Sequence, residues 1–357
     1  MTPNLKSGIL PSQELKKAIT SKIIKSSIDI KSDQIQPASI DLRLGDIAYR
    51  VRASFLPGEN SSVEGKLKLI TMHKIDISKG SVLEKGCVYI VPLVESLNLP
   101  SNISGMANPK SSTGRLDIFT RVITDNSTEF DRIKAGYKGP LYAEISPLTF
   151  SVLVYSGSKL SQLRLRQGKF DASNGIAFTV DLSGFKNKNN ESRVIGYKAK
   201  QHSGLIDIQR INYYKIEDFW DVILVEPDKT LVLDPDEFYI LASKEEVCVP
   251  PDQAAEMRAY DTLVGEFRVH YAGFFDPGFG HYTAGGLGSR AVLEVRSHDV
   301  PFVLEDGQMV GRLVYEPLIS VPEIIYGSDV GSNYQGQELK LSKHFENMAW
   351  LNPVPDD

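Results

Sequence analysis

The sequence predicts a mainly β protein in which one sandwich or barrel occurs twice, with few short helices. Three observations carry this. After residue 30, runs such as CVYIVPLV, LYAEISPLTFSVLVY, FYILAS and RAVLEVRS alternate with clusters of Gly, Pro, Asn, Asp and Ser. That alternation marks short strands joined by turns. One half of the chain repeats the other at a fixed spacing. The 357 residues, 41% hydrophobic and 24% charged, are enough for two domains with full cores.

Taken in order, SQELKKAITSKII (12–24) predicts the one clear helix. Ser12 is its N-cap, and Leu15, Ala18, Ile19 and Ile23 form its apolar face. PASIDLRLG (37–45) reads as a hairpin-like piece that sets Asp41 and Arg43 between apolar residues. The repeat then begins. Leu83, Tyr89, Ile90, Glu95 and Pro100 recur 150 positions later as Leu233, Tyr239, Ile240, Glu245 and Pro250. The same offset carries Glu144 to Glu294, Gly157 to Gly307 and Leu163 to Leu313. A period this long is not a solenoid unit; it is two copies of one β domain, fused. The junction is expected within 167–200, with the polar stretch KNKNNES (186–192) as its flexible point. The expected domains are 1–180, 181–320 and a C-terminal tail, 321–357.

Composition narrows the function. Forty basic against 45 acidic residues give a net charge of -5, which argues against a nucleic-acid coat while leaving room for a local anion site. No apolar run is long enough for a membrane helix, and the N-terminus lacks the apolar stretch of a secretion signal. The two cysteines, Cys87 and Cys248, have no metal-ligand spacing and are expected as buried thiols in a reducing compartment. The expected location is cytoplasmic.

Several segments hold residues suited to chemistry. In NPKSSTGRLDIFTRVITD (108–125), Ser111, Ser112, Thr113 and Gly114 form a hydroxyl-rich turn closed by Arg115. Such a turn offers N–H groups, hydroxyls and a forked cation to an anion. Glu144 sits inside an apolar strand, and Glu294 occupies the same register in the second copy. A partly buried carboxyl of this kind carries a raised pKa and shuttles protons near neutrality. FFDPGFG (274–280) is a tight turn beside aromatics. The Gly-rich tail, with Tyr326, Tyr334, Gln335, Gln337, Lys340 and Lys343, suits a lid over a polyphosphate.

PASIDLRLG, NPKSSTGR, AGYKG followed by PLYAEI, and the NYQGQ tail together resemble the dCTP deaminase family of the dUTPase-like superfamily, in its long tandem bacterial form. The resemblance spans about residues 8–345 and implies a distorted, jelly-roll-like barrel that assembles as trimers. It implies hydrolytic deamination of dCTP to dUTP and ammonia without zinc, a hydrolase acting on the C–N bond of a cyclic amidine. The sequence lacks the H-x-E…P-C-x-x-C pattern of zinc deaminases.

The resemblance also assigns roles. Glu144 is the expected proton carrier, Ser111 orients the attacking water, and Arg115 supplies fixed positive charge. Lys110, Ser112, Thr113 and Gly114 would bind substrate, with backbone near Val122 and Thr124 at the base edge. Tyr326, Tyr334, Gln337 and Lys340 would hold phosphates, and Mg²⁺ would accompany the triphosphate. Feedback by dTTP follows from the same likeness.

Each copy departs from the family pattern. Lys134 stands where the family's turn has an aspartate, which the second copy keeps as Asp276; the second copy reads RAYDTLVGEF in place of KSSTGRLDIF. The expectation is therefore a composite site, with Ser111, Arg115 and Glu144 from the first copy and the tail and Asp276 from the second. Glu294 becomes a relic or structural carboxylate. Two alternatives remain open. One is a dUTPase or bifunctional enzyme using Asp125 or Asp131. The other is a non-catalytic dNTP sensor, which would not need Glu144 beside an intact SSTGR.

Overall fold

A computed structural model describes residues 7–168, 175–186, 193–259, 267–269, 273–297, 299–327 and 334–346. Residues 187–192 of the expected junction loop, 260–266 of RAYDTLVGEF, and Asn333 lie outside the described residues. The protein is mainly β, with one arrangement of strands occurring twice in tandem. Six strands recur between the copies at close to the offset of the sequence repeat. Val88–Asn98, Ile103–Pro109, Lys138–Pro147 and Lys159–Gln167 return as Phe238–Val247, Gln253–Ala259, Ser289–Ser297 and Met309–Pro317. Ser81–Leu83 and Val152–Val154 return as Thr230–Leu233 and Phe302–Glu305. Register repeats too: Glu144 lies opposite Ile90, and Glu294 opposite Ile240.

In each copy the strand bearing the glutamate is an interior strand of a six-stranded sheet, paired on both sides. From Leu141 to Pro147, and from Ala291 to Ser297, every residue is buried. Covered on two faces, these strands read as nearly continuous apolar runs. A carboxylate within either one is buried as a consequence.

The border between the copies falls within the expected 167–200, a few residues ahead of position 180. Ile176–Thr179 pairs with Met309–Pro317, so the first copy ends with Lys159–Gln167 and the second begins before residue 180. The copies are not independent. Ile206–Asp207 pairs in parallel with Val152–Val154, and Ile9 bridges to Leu318. One apolar core holds Leu116, Ile118, Ala143 and Phe150 of the first copy with Trp220, Phe238, Ile240 and Val292 of the second. It also takes in Leu339, Leu341 and Phe345 of the tail. The tail segment 334–346 is thus part of the core, where the sequence suggested a lid.

Local details differ for physical reasons. The helix runs from Ser12 to Thr20 with Pro11 at the N-cap. Ser12 is its first residue: Pro11, with φ -75° and ψ 173°, takes the cap position, where its missing N–H leaves no donor unpaired. It stops early because Ile24–Ser26 pairs with Val88–Asn98. PASIDLRLG forms no hairpin of its own: Ile40–Arg43 joins Lys159–Gln167, and Arg43 forms a buried pair with Glu95. Cys87 is half-buried and Cys248 exposed, which corrects the expectation of two buried thiols. Among the described residues no helix is long and apolar enough to cross a membrane.

Candidate active site

The KSSTGR segment forms a one-turn helix, Ser111–Gly114, capped by Lys110. The Lys110 N–H donates to Leu160 O at 2.9 Å, tying the turn to the neighbouring strand. Arg115 leaves this helix and points into a cavity of about 620 Å³ between the two copies, a volume typical of small-molecule sites. From the first copy the cavity is lined by Asp41, Lys110, Ser111, Ser112, Thr113, Arg115 and Gln162. From the second come Met257, Phe275, Asp276, Phe279, Val292 and Glu294; from the tail, Tyr326, Tyr334, Gln337, Lys343 and His344.

Arg115 organises the centre. Its Nη1 donates to Lys340 O at 2.8 Å, and Nη2 to Gln337 Oε1 at 3.0 Å. Its guanidinium stacks on Tyr334, 4.0 Å from the ring centroid. Nε has no hydrogen-bond partner and lies 4.0 Å from Glu294 Oε1. Glu294 is 4% exposed. Burial pushes its carboxyl up to about 8; Arg115 and its own backbone pull it down, and Asp117 pushes it further up.

Asp276 sits in the turn before the Glu294 strand. Arg164 of the first copy, itself fully buried, donates to Asp276 Oδ1 at 3.2 Å and to the carbonyls of Ala255 and Phe275. Burial nonetheless raises Asp276. The turn needs glycine at 280: φ is +66°, and a Cβ there would lie 2.1 Å from Val247 O.

The other end of the cavity is cationic. Lys110 pairs with Asp41, whose Oδ1 is buried without a hydrogen-bond partner. Lys343 is lowered by burial and then by Lys110. Burial, with Lys343, holds His344 at about 4, and it bonds Ser342 Oγ at 2.9 Å. Ser342 in turn donates to Ser112 O at 2.8 Å.

Glu144 is elsewhere, and this corrects the sequence expectation. It does not line the cavity. Ser54 Oγ donates to its Oε2 at 2.7 Å, and Arg121 donates to Oε1 from Nε at 3.1 Å and from Nη2. Arg121 is stacked on Phe130, 3.4 Å from its centroid. Val122 and Thr124 share this region, on the strand paired with the Glu144 strand. The Val122 N–H is taken by Asp131, which burial raises to about 7. Gly114 is buried in its helix outside the lining, and Lys340 contributes its carbonyl while its ammonium lies 5.8 Å from the Tyr334 ring.

The cavity therefore joins the first copy's Ser-Ser-Arg turn to the second copy's glutamate. The signal for this was present: 144 and 294 share a register, and the tail belongs to the second copy. Which glutamate faces the turn depends on how the barrels pack, and that is not written in the repeat.

Two fused dUTPase-like barrels sharing a cavity between them define the class. The chain matches the family model of the 2'-deoxycytidine 5'-triphosphate deaminase N-terminal domain over 6–169, and that of its C-terminal domain over 156–345. It belongs to the 2'-deoxycytidine 5'-triphosphate deaminase family. It is similar to the crystal structure of 2'-deoxycytidine 5'-triphosphate deaminase from Agrobacterium tumefaciens, at 55% identity and a TM-score of 0.82. That match covers 87% of this chain and 99% of the other. A "dCTP deaminase, dUMP-forming" from Kocuria rhizophila is 37% identical over 119 residues, 32% of this chain and 58% of the relative. One of the same description from Beutenbergia cavernae is 38% identical over 120 residues, with the same coverage of 32% and 58%. The chain thus spans less than two thirds of the length of these curated relatives.

Proposed function

We propose that this protein deaminates dCTP hydrolytically, with Glu294 as the proton carrier. One observation carries the reading: a buried glutamate beside Arg115, in a cavity that the Ser-Ser-Arg turn, the Asp276 turn and the tail enclose. Water adds to C4 of the cytosine as its proton passes to the Glu294 carboxylate. The carboxyl gives that proton to N3, then takes the proton of the new C4 hydroxyl and passes it to the amine, which leaves as ammonia while C4–O becomes a carbonyl. The base becomes uracil, and the atoms balance as dCTP plus water to dUTP plus ammonia. Arg115, held by Gln337, Lys340 and Tyr334, keeps a fixed positive charge beside the changing carboxyl. Asp276 and the aromatic wall of Phe275 and Phe279 suit the sugar and base. Lys110, Ser111, Ser112 and Lys343 suit the phosphates.

Mg²⁺ fits the cationic end as a companion of the triphosphate, where it would neutralise phosphate charge. Asp41 Oδ1, buried and without a hydrogen-bond partner, is an oxygen a hard cation would accept. Among the described residues no three His, Cys, Asp or Glu group as a metal cage, so phosphates and water would supply most of its ligands.

Release of ammonia from dCTP, measured against dCMP and dUTP as substrates, tests the reading. A sensor would bind and release nothing. The curated relatives' names, dUMP-forming, favour a second reading in which the triphosphate is then cut to dUMP. Pyrophosphate appearing with ammonia separates that from dUTP as the final product. A homotrimer and feedback by dTTP belong to the same proposal, read by sedimentation and by dTTP titration of the rate.

Two expectations follow. The first concerns stoichiometry: nucleotide titration finds one site per chain, because Arg121 and Ser54 already occupy the Glu144 carboxylate. The second concerns pH. Glu294 acts first as a base, so it must be ionised, and its value lies near 8. kcat/KM then rises with pH, about tenfold per unit below that value, and levels above it. The limb is absent from Glu294→Gln.

A further inference from the structure

We propose that the buried pair Asp117–Arg296 positions the Arg115–Glu294 contact between the two copies and sets its electrostatic balance. This rests on reading Glu294 as the proton carrier. Asp117 follows Arg115 by two residues in the first copy, and Arg296 follows Glu294 by two on the same strand of the second. Residues two apart on a strand share a face. Two ion pairs of opposite polarity therefore cross the boundary side by side: Arg115 to Glu294, and Asp117 to Arg296.

The second pair is built as an anchor. Asp117 is fully buried. Arg296 Nη2 donates to Asp117 Oδ2, and to Thr149 Oγ1 at 3.0 Å. Thr149 Oγ1 donates to the same carboxylate at 2.6 Å. The Asp117 carbonyl accepts from Leu148 N at 2.9 Å, and its φ is +54°. The backbone that delivers Arg115 is thus tied down two residues later, and what ties it is the strand that delivers Glu294. The Arg115–Glu294 contact itself is looser, at 4.0 Å with Arg115 Nε free of hydrogen bonds.

The groups facing Glu294 are Arg115 and Asp117 from the first copy and Tyr334 from the tail. Lys340 lies beyond Arg115. Ile240 is opposite on the flanking strand, and Arg296 lies on its own. Asp117 pushes the Glu294 carboxyl up, and Arg296, its counter-charge two residues along the Glu294 strand, opposes that push.

The test is the pH profile of ammonia formation from dCTP by the full chain. Asp117→Asn leaves Arg296 without a counter-charge, which favours ionised Glu294. The limb in kcat/KM moves to lower pH by roughly one unit. Arg296→Gln removes the cation beside Asp117, and the limb moves to higher pH by a similar amount. Arg296→Lys keeps the charge but loses the fork, so the limb stays while kcat falls about tenfold with KM little changed. The double variant Asp117→Asn/Arg296→Gln, with no buried charge left over, returns the limb to its original place and keeps the comparison usable if a single variant does not fold. Limbs that stay put, or that move in one direction in the two single variants, overturn the proposal; so does a loss of rate that follows Tm alone. Glu294→Gln is the control for the underlying reading. If it keeps turnover, the assignment of Glu294 falls instead.

Discussion

Glu294→Gln is expected to lower dCTP turnover by about a thousandfold or more while leaving nucleotide affinity within a few-fold. The substitution keeps shape. Burial holds the native carboxyl near 8, so it is largely protonated at neutral pH, and an amide imitates that form without leaving an uncompensated charge. What is lost is the group that carries one proton from water to N3 and another from the C4 hydroxyl to the leaving amine. Glu144→Gln is expected to behave in the opposite way. It takes the counter-charge from Arg121, held by stacking on Phe130, and destabilises the fold by about 2 kcal/mol, with turnover per folded molecule kept. Ammonia release, calorimetric titration with dCTP and thermal unfolding on both variants decide the matter. Loss of turnover in Glu144→Gln at unchanged Tm, with Glu294→Gln active, would return the role to Glu144.

The tail carries the other large effect. A detachable lid could be removed at the cost of activity alone. Here Leu339, Leu341 and Phe345 are buried in the shared core. Phe345 meets Phe219 and Trp220 edge-on, with centroids 5.5 and 5.8 Å away. Its neighbours are fastened as well: Asn212 N donates to Lys343 O at 2.9 Å, and Tyr213 N to His344 O at 3.0 Å. Phe345→Ala is expected to cost about 3–5 kcal/mol. Ending the chain at residue 333 removes all three side chains, a loss comparable to the whole stability of a typical domain. That shortened chain is expected not to fold, measured by solubility and by the thermal transition. An unchanged transition would restore the lid.

The barrel's duplication was legible because a strand's identity is local. Apolar runs, turns and their order survive in the repeat, and matched residues such as Ile90 and Ile240 occupy matched registers. The SSTGR turn and Asp276 were legible as chemical groups, and the cavity brings them together. The sequence could not separate Glu144 from Glu294, because the two strands are close copies. Position along a strand fixes that a carboxylate is buried and says nothing of what is buried against it. Ser54 and Arg121, neither of which the sequence singled out, settle that for Glu144.

By itself the sequence determined two β domains, their strands, the family and the stock of groups available for chemistry, since these follow from periodicity, turn residues and short motifs. Only the tertiary structure decided which carboxyl meets Arg115 and that the tail is core. Contacts across the copies join residues far apart in the chain, as Arg115 and Glu294 are. Such pairings are set by how two surfaces dock, a property that no local run of residues encodes.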